Sequence, residues 1–536
     1  MIGKNQCAVA VRDSRSVSTG ANSNLADYLS AAAQRRPEHS AVLDETGVIT
    51  WAGLDAEVSD FACGLIGLPI TQGERVALIM ANRREFVVAY YAILRAGLIA
   101  VPLHPGYMPD EVSRRVVESG ARFVITDGEA IGSVRAAALA EVQVIVAGVL
   151  SEDTASATSD DERRFDDVLA AGAASRAASG DSTFESRGGG EDPALIMYTS
   201  GTSGEVRGAV LTHRALRASI EQVASLPEPI VTDDDVTLIV LPLSHIYSLN
   251  GTLSAIVRQS STAVVVKGFD VNETLRVIRE HDVTNIPGAP AMWNVWSRLP
   301  TLGEAFGGVR RLFSGSAALS IETQSRVHEQ TGMFVHEGYG MTEAAPGVSS
   351  TLVSGRIKPG SVGTPFPGVE VRLVDEAGRD VDDDDPEPGE IWIRGDNLFS
   401  GYWPDGDGGP DADGWFATGD VGYLDDEGDL HLVDRRKELI IVNGFNVYPR
   451  EVEQVLLEFD GVVEAAAVGE PNETSGEQVV AYVVLAAGVT VSEAQLKQHC
   501  ETRLARFKRP VSIADVGELP HSLTGKVVKG RLRGHG

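Results

Sequence analysis

The stretch Tyr198-Thr-Ser-Gly-Thr-Ser-Gly-Glu-Val-Arg-Gly208 decides the fold. It follows a buried apolar strand at 194–198 and precedes a helical pattern at 213–226. A loop of threonine, serine and glycine turns tightly and presents backbone N–H groups and hydroxyls to an anion, as a triphosphate requires. It is not a Walker loop, because no Gly-Lys-Ser/Thr follows at the required spacing. Taken alone, a loop of this composition is equally well a plain turn.

On both sides of this loop, short β-rich runs alternate with helical ones. Before it, apolar strands are predicted at 75–80, 99–102, 122–126 and 142–147, and after it at 236–241, 262–266, 284–286 and 309–314. Alternation of this kind predicts parallel α/β sheets. Residues 151–191 are rich in Ser, Ala, Gly and Asp, and they predict a surface excursion with one short helix, 165–171.

The sequence pattern changes at Ser361. From there, short strand-like runs separated by Gly and Asp turns predict an antiparallel barrel or sheet. The run Asp382–Asp385 between two of these strands is interpreted as a solvated turn rather than a metal site. After Lys437 a compact pattern of strands and helices predicts an α+β domain that is large enough to fold alone. The predicted fold is therefore α/β. A large N-terminal domain of α/β subdomains, with a small antiparallel β subdomain, precedes a small mobile α+β C-terminal domain.

The predicted boundaries are a disordered tail at 1–22, an N-terminal domain at 23–436 and a C-terminal domain at 437–536. At 536 residues the chain exceeds the size of a single core, in agreement with more than one domain.

Composition excludes several classes of function. The formal net charge of −30 repels a phosphate backbone and anionic lipid, so a nucleic-acid partner is not expected. No apolar run approaches the length needed to span a membrane, so stable membrane insertion is not expected either. The three cysteines lie far apart and form no CxxC pair, which argues against a disulfide scaffold or a structural zinc site and favours the cytoplasm. An anionic substrate would need cations placed locally in the site.

Three further motifs follow the loop in the chain. They are Gly338-Tyr-Gly-Met-Thr-Glu343, Thr418-Gly-Asp420 with Asp434-Arg-Arg-Lys437, and Thr524-Gly-Lys526. The first packs an aromatic ring, a hydroxyl and a carboxylate into one short loop, a set that could stack a base, contact a phosphate and hold Mg²⁺. Each motif alone also fits an ordinary turn or surface segment, so their order and spacing carry the information.

With its four motifs in the same order, the chain resembles the adenylate-forming superfamily of acyl-CoA synthetases, luciferases and peptide-synthetase adenylation domains. The resemblance runs from about residue 25 to the end. It implies an AMP-forming acid–thiol ligase with ATP, Mg²⁺ and coenzyme A as cofactor and co-substrates. Such an enzyme converts a carboxylic acid to acyl-AMP and then to a thioester, and releases AMP and pyrophosphate.

The resemblance also implies roles for individual residues. It assigns ATP binding to Thr199, Ser200, Gly201, Thr202, Ser203, Gly204, Gly315, Ser316, Ala317, Tyr339, Gly340, Thr342, Asp420, Arg435 and Lys526. It assigns catalysis to Lys526, Thr342, Glu343 and His245, with Glu343 as the Mg²⁺ ligand. It places the domain hinge at Lys437 and the coenzyme A tunnel at Gly444 and Phe445. One departure stands out: Val206-Arg207 replaces the family's usual Pro-Lys, so a planar fork replaces a point charge.

Two segments bear on the acid. Leu241-Pro-Leu-Ser-His245-Ile-Tyr247 resembles the segment beside the acyl pocket of fatty-acyl and aryl ligases, although a histidine at a strand end is also often structural. Residues 241–251 contain no carboxylate to pair an ammonium group, which disfavours amino acids. Residues 439–449 are very similar to bacterial fatty-acyl-CoA ligases. A medium- or long-chain fatty acid is therefore predicted, with fatty-acid metabolism as the setting.

Several alternatives stay open. The acid could be a hydroxycinnamate-like aryl acid, and the acceptor could be a carrier protein. Ligases that load carrier proteins have an extra inserted segment before the antiparallel region. The corresponding segment here, residues 344–368, is short and uninterrupted, which favours coenzyme A as the acceptor. A third alternative is a degenerate nucleotide-binding protein without turnover. The retention of Glu343, Asp420 and Lys526 argues against it. A homodimer is possible.

Overall fold

The computed structural model describes residues 23–148, 162–179, 184–199, 206–375, 377–381, 388–435, 438, 440–442, 445–447, 449–472, 476–504, 506–521 and 527–532. The strands are β1 (Ser40–Asp44), β2 (Gly47–Thr50), β3 (Arg75–Ile79), β4 (Ile99–Pro102), β5 (Phe123–Asp127), β6 (Gln143–Ala147), β7 (Glu162–Arg164), β8 (Pro193–Thr199), β9 (Arg207–Thr212), β10 (Val236–Ile239), β11 (Thr262–Val265), β12 (Asn285–Gly288), β13 (Arg311–Ser314), β14 (Val335–Gly340), β15 (Gly347–Ser350), β16 (Thr364–Pro365), β17 (Val369–Val374), β18 (Gly389–Gly395), β19 (Phe416–Leu424), β20 (Leu430–Arg435), β21 (Ile440–Val442), β22 (Phe445–Val447), β23 (Val462–Asn472), β24 (Gly476–Leu485) and β25 (Ser512–Asp515).

The helices are Asp27–Arg35, Trp51–Ile66, Arg84–Arg95, Pro109–Ser119, Ile131–Ala136, Phe165–Ser179, His213–Ala224, Ala255–Gln259, Val271–Glu280, Pro290–Trp296, Leu302–Ala305, Ile321–Thr331, Thr351–Ser354, Pro449–Leu457 and Glu493–Glu501. A π-helical segment spans Tyr247–Ser254, and short 3-10 turns span Thr342–Ala344, Arg506–Lys508 and Lys529–Arg531.

Two large sheets form the N-terminal part of the chain. One has the order β7-β6-β5-β3-β4-β8-β9 and is parallel except for the last pair. The other has the order β16-β15-β14-β13-β12-β10-β11-β1-β2, in which β14 to β1 are parallel and β2, β15 and β16 run antiparallel to their neighbours. The predicted α/β class is confirmed. Because parallel strands end at one edge of a sheet, this topology gathers the loops that follow them.

Two smaller sheets account for the remaining strands. β17-β18-β19-β20 form the antiparallel sheet predicted from residue 361 onward. In the C-terminal part, β22-β21-β24-β23 form a sheet to which β25 adds in parallel, and the helices Pro449–Leu457 and Glu493–Glu501 pack against it. This arrangement confirms the predicted α+β C-terminal domain, while its mobility and its boundary at Lys437 stay predictions.

The helix Arg84–Arg95 is buried from Phe86 to its end, as expected for an element packed on all sides. Its last residue, Arg95, is fully buried and donates to the Asp55 carboxylate at 2.7 Å and to the Ser59 hydroxyl at 2.6 Å. These partners make a charge tolerable in the core. None of the helices in the described ranges is long and apolar enough to cross a bilayer.

The segment predicted as a surface excursion contains a longer and better packed helix than expected. The helix Phe165–Ser179 buries Phe165, Val168 and Gly172 against the helix Trp51–Ile66. A Cβ atom at Gly172 would lie 1.8 Å from the Asp60 carbonyl oxygen, so the two helices meet backbone to backbone. The helix predicted at 165–171 is confirmed, but its predicted end was wrong, because it continues to Ser179. Its small residues gave no amphipathic signal although they permit this close approach.

Replacing Gly172 with alanine should lower the free energy of unfolding by about 2 kcal/mol or more, since the new methyl group displaces one helix from the other. Chemical denaturation measures this directly. Gly132→Ala is the matched control, because Gly132 lies in the helix Ile131–Ala136 with nothing within 4 Å of an added Cβ. That change should be neutral or stabilising by up to about 1 kcal/mol. Equal stability of the two variants would contradict the tight helix contact.

Candidate active site

A cavity of about 240 Å³ lies beside the C-terminal ends of β8, β13 and β14. Eight of the residues singled out from the sequence line it together: Thr199, His245, Gly315, Ser316, Tyr339, Gly340, Thr342 and Glu343. They come from segments that are up to 144 positions apart in the chain, from Thr199 to Glu343. The fold therefore brings the predicted nucleotide motifs and the predicted acid segment to one cavity.

Other predicted residues do not line it or cannot be placed. Ala317 is exposed and lies outside the cavity lining. Outside the described residues lie Ser200–Gly204, Asp382–Asp385, Lys437, Gly444, Lys526 and the tail 1–22. Arg435 and Phe445 lie on β20 and β22, but their side chains are not described. The roles carried over to these residues stay predictions.

The loop after β14 carries the most informative carboxylate. Glu343 is 3% exposed, and its Oε1 accepts a hydrogen bond from the Tyr402 hydroxyl at 2.7 Å. The loop turns sharply, with the Met341 N–H donating to the Pro346 carbonyl at 2.9 Å. A Cβ at Gly340 would lie 2.3 Å from the same oxygen, so only glycine fits there. Glu343 is thus held at the cavity wall by a tightly folded loop.

Two buried asparagines that the sequence did not single out hold this loop through its backbone carbonyl groups. The Asn250 side-chain amide donates to the Ala345 carbonyl at 2.7 Å and to the Leu216 carbonyl at 3.1 Å. The Asn397 side-chain amide donates to the Ala344 and Gly347 carbonyls at 2.7 and 2.9 Å. Neither residue belongs to a recognisable local motif, since each acts on backbone that is distant in sequence.

Asp420 lies on β19 of the small antiparallel sheet, outside the cavity lining, and contacts a lining residue, Tyr339. Its Oδ2 accepts a hydrogen bond from the Tyr339 hydroxyl at 2.6 Å, and its backbone N–H donates to the Thr418 hydroxyl at 3.1 Å. On the neighbouring strand Arg435 is its direct register partner. The predicted ribose acceptor and the predicted adenine-pocket tyrosine are therefore in contact, as two residues that bind one nucleoside should be.

The strands on either side of the predicted phosphate loop pair with each other. β8 and β9 pair antiparallel from Pro193–Thr212 to Thr199–Arg207, so a strand separates the loop from the helix His213–Ala224. The sequence predicted the helix but not β9. At the start of β9, the Arg207 guanidinium lies 3.9 Å from the centroid of the Tyr402 ring. The arginine that replaces the family's lysine is therefore stacked on an aromatic face, a geometry that suits a planar cation.

His245 faces the cavity in the segment after β10. Burial lowers the pKa of His245 to about 4, so the imidazole is neutral at physiological pH. Its Nδ1 accepts a hydrogen bond from the Tyr247 N–H at 3.3 Å. Asn82, after β3, holds this segment by donating to the Leu241 carbonyl at 3.0 Å and accepting from the Leu243 N–H at 2.7 Å. The histidine can donate a hydrogen bond into the cavity but carries no charge there.

The π-helical segment Tyr247–Ser254 forms another wall, and periodicity gave no sign of it. The Tyr247 ring lies close to Gly315, where an added Cβ would be 3.1 Å from the ring. Burial raises the pKa of the Tyr247 hydroxyl, which stays protonated. π-Helical turns inside helices are frequent at functional sites, which agrees with the position of this one.

Three other residues of the cavity lining suit a hard cation that also has phosphate ligands. Thr199, Thr342 and Glu343 bring hydroxyl and carboxylate oxygens to the same cavity, and Mg²⁺ prefers such donors together with substrate phosphates. The donor set therefore fits Mg²⁺, with Glu343 as the protein carboxylate.

Comparison with known proteins agrees with this geometry. The model of the AMP-binding enzyme family matches residues 29–403, and that of the AMP-binding enzyme C-terminal domain matches residues 451–526. The chain belongs to the AMP-binding enzyme family. Full-length relatives are named as acid–CoA ligases, so this chain is an AMP-forming acid–thiol ligase of the acyl-CoA synthetase family, which acts through an acyl-adenylate.

Full-length relatives of this AMP-binding enzyme differ in the acid that they are named for. A long-chain-fatty-acid–CoA ligase from Yersinia pestis is 30% identical, and a 4-coumarate–CoA ligase from Oryza sativa subsp. japonica is 32% identical; each match covers 95% of this chain and 94% of the relative. The ATP-bound crystal structure of MatB from Rhodopseudomonas palustris superposes with a TM-score of 0.84 at 30% identity and covers 95% of this chain and 98% of that one. ATP is thus bound by a close structural neighbour.

Proposed function

We propose that this AMP-binding enzyme activates a monocarboxylic acid with an apolar body, a medium- or long-chain fatty acid, and transfers it to coenzyme A. The composition of the cavity wall carries the proposal. Of the described residues that line the cavity, only Glu343 has a formal charge at neutral pH, because burial lowers the pKa of both lining histidines, His245 and His336. A second carboxylate or an ammonium group on the acid would find no opposite charge along the acyl part of the wall, and burying it unpaired would be costly.

The acyl part of the cavity is apolar on several sides. Helix His213–Ala224 contributes Ile220 and Val223, and further apolar surface comes from Ile230, Val231, Ala255 and Phe366. Aliphatic side chains of this kind bind a hydrocarbon by removing it from water, at about 25 cal/mol for each Å² of buried apolar surface. The same wall includes the Tyr247 ring, which favours the second candidate, an aryl acid such as a hydroxycinnamate.

The proposed chemistry follows from the charges involved. A carboxylate that attacks the α-phosphorus of ATP is already ionised, so this half of the reaction needs positioning and charge neutralisation rather than a general base. We assign the gripping of the phosphates to Thr199–Gly204, the α-phosphate contact to Thr342 and the cation beside the reacting oxygens to Lys526. Mg²⁺ held by Glu343 would supply further neutralisation of the phosphate charge.

The second half of the reaction needs room for a thiol. Neutral His245, which lines the same cavity as the apolar side chains and the nucleotide motifs, can orient the acid by donating a hydrogen bond to it. Rotation of the C-terminal domain about Lys437 would withdraw Lys526 and bring Gly444 and Phe445 to the thiol path. Coenzyme A is the proposed acceptor, and a carrier protein is the alternative.

The deciding experiment measures AMP release with a panel of acids, with and without coenzyme A. The panel runs from acetate to long-chain fatty acids and adds hydroxycinnamates and a dicarboxylic acid. We expect release that depends on coenzyme A and is greatest with medium- or long-chain fatty acids. A maximum with hydroxycinnamates would favour the aryl alternative. Acid-dependent pyrophosphate release that coenzyme A does not stimulate would point to a carrier protein, and preference for the dicarboxylic acid would overturn the assignment of the wall.

A further inference from the structure

Residues Phe399–Trp403 form a strap that runs from the small antiparallel sheet along β9. The Ser400 N–H donates to the Val210 carbonyl at 2.9 Å, and the Val210 N–H donates to the Gly401 carbonyl at 3.0 Å. Trp403 continues the ladder with an N–H donated to the Gly208 carbonyl at 2.7 Å. The strap is therefore fixed in register against the strand that leaves the predicted phosphate loop.

The same strap holds Glu343 in two places. The Phe399 N–H donates to the Glu343 carbonyl at 2.9 Å, and the Tyr402 hydroxyl donates to the Glu343 Oε1 at 2.7 Å. Tyr402 is 6% exposed and Glu343 3% exposed, so this hydrogen bond to a charged acceptor is shielded from water. A donor of this kind fixes the rotamer of the carboxylate.

Arg207 contacts the aromatic ring of the same tyrosine. Its guanidinium lies 3.9 Å from the centroid of the Tyr402 ring, and its Nη2 donates to the Asp407 carbonyl at 3.5 Å. A cation over the ring draws electron density away from the phenol and strengthens the hydroxyl as a donor. One tyrosine therefore contacts both the residue at the end of the predicted phosphate loop and the predicted metal carboxylate.

We propose that Tyr402 is a positioning residue, which orients Glu343 for Mg²⁺ and couples it to Arg207 at the end of the phosphate loop. The inference rests on the proposed role of Glu343 as the Mg²⁺ ligand. Residues that hold a metal ligand in place typically contribute 10–100-fold to metal affinity or activity, so the effect should be measurable. The proposal also gives a role to the change from Pro-Lys to Val206-Arg207, because the planar guanidinium of arginine can stack on the Tyr402 ring, whereas a lysine would offer only a point charge.

The alternative is that Tyr402 only fills space. Its ring packs edge-on against Phe399 with centroids 5.0 Å apart, and a packing role would survive loss of the hydroxyl. Tyr402→Phe separates the two, because it removes the donor and keeps the ring beneath Arg207.

Tyr28→Phe is the matched control. The Tyr28 hydroxyl also donates to a glutamate, Glu221, at 2.5 Å, and an arginine, Arg217, also lies over its ring at 4.2 Å. Tyr28 does not line the cavity. Both variants should therefore lose similar stability, and only Tyr402→Phe should change the Mg²⁺ dependence of ATP binding.

The experiment measures ATP binding by calorimetry over a range of MgCl₂ concentrations in the full-length protein, together with the thermal midpoint. We expect Tyr402→Phe to raise the Mg²⁺ concentration for the half-maximal effect by about 10–100-fold, with ATP affinity in the absence of Mg²⁺ unchanged. Tyr28→Phe should match the wild type in Mg²⁺ dependence. Glu343→Gln should lose most of the Mg²⁺ effect.

If Tyr402→Phe kept the wild-type Mg²⁺ dependence while Glu343→Gln lost the Mg²⁺ effect on ATP binding, only the role of Tyr402 would be overturned. Equal shifts in Tyr402→Phe and Tyr28→Phe would also overturn it, because loss of stability would then explain both. An unchanged Mg²⁺ effect in Glu343→Gln would overturn the metal role in the proposed function, and the inference with it.

Discussion

Replacement of Lys526 with alanine should lower the rate of acyl-adenylate formation by about 10²–10³-fold while ATP binding stays within a few fold of the wild type. Adenylation brings a carboxylate against a triphosphate, so the repulsion between two anions is greatest at the reacting oxygens. A cation placed there stabilises the transition state more than the ground state, and its loss appears in kcat rather than in ATP affinity. Acid-dependent pyrophosphate exchange measures the rate, and calorimetry measures ATP binding.

The second half-reaction provides an internal control for the same variant. If Lys526 serves only adenylation, Lys526→Ala should still form thioester from synthetic acyl-AMP and coenzyme A at nearly the wild-type rate. Lys497→Ala removes the same charge from the C-terminal domain at a surface ion pair with Glu493, 2.8 Å long, and should leave both half-reactions unchanged. Normal pyrophosphate exchange in Lys526→Ala would show that the assignment is wrong.

Replacement of Asp420 with alanine should weaken ATP binding by about 10–100-fold, because a hydrogen bond to a charged group contributes about 1.5–3 kcal/mol. The carboxylate is predicted to accept from the ribose hydroxyls, and the Tyr339 hydroxyl already fixes its Oδ2 at 2.6 Å. The wild type should therefore bind ATP more tightly than 2′-deoxy- or 3′-deoxy-ATP. Asp420→Ala should bind all three with similar affinity, as calorimetry can determine.

Tyr339→Phe is the companion variant for this test. It removes the donor to Asp420 but keeps the carboxylate and the ring that is predicted to pack on adenine. A smaller loss of ATP affinity is expected, with discrimination between ATP and its deoxy analogues retained. If Asp420→Ala continued to discriminate between these nucleotides, the ribose role of Asp420 would have to be abandoned.

The sequence was most informative where chemistry is concentrated in short motifs. The loop after Tyr198, the segment ending at Glu343 and the segment ending at Asp420 each combine residue types that few structural roles require together. Their order was enough to predict the family and the fold class, both of which are confirmed. Tyr339 of the second segment contacts Asp420 of the third across two different sheets, and Thr199 and Glu343 line the same cavity, an assembly that the motifs alone do not predict.

The sequence was least informative where function depends on distant backbone. Asn250 contacts Ala345 across 95 positions, and Tyr402 contacts Glu343 across 59, with no local pattern to mark either pair. β9 was missed because the strand follows the loop directly and reads as the approach to a helix. The π-helical wall was missed because its residues follow no period that distinguishes it from an ordinary helix.

The two asparagines at the loop after β14 have a consequence for the divergence of these ligases. The side-chain N–H groups of Asn250 and Asn397 donate to backbone carbonyl oxygens, those of Leu216, Ala344, Ala345 and Gly347, and every amino acid carries such an oxygen. The shape of the predicted nucleotide-binding loop therefore does not depend, through these hydrogen bonds, on the side chains of the proposed acyl wall. Selection can exchange those side chains for a new acid without redesigning the adenylation machinery. Relatives that share about 30% of their residues with this chain, and are named for acids as unlike as long-chain fatty acids and coumarate, are the outcome that such independence allows.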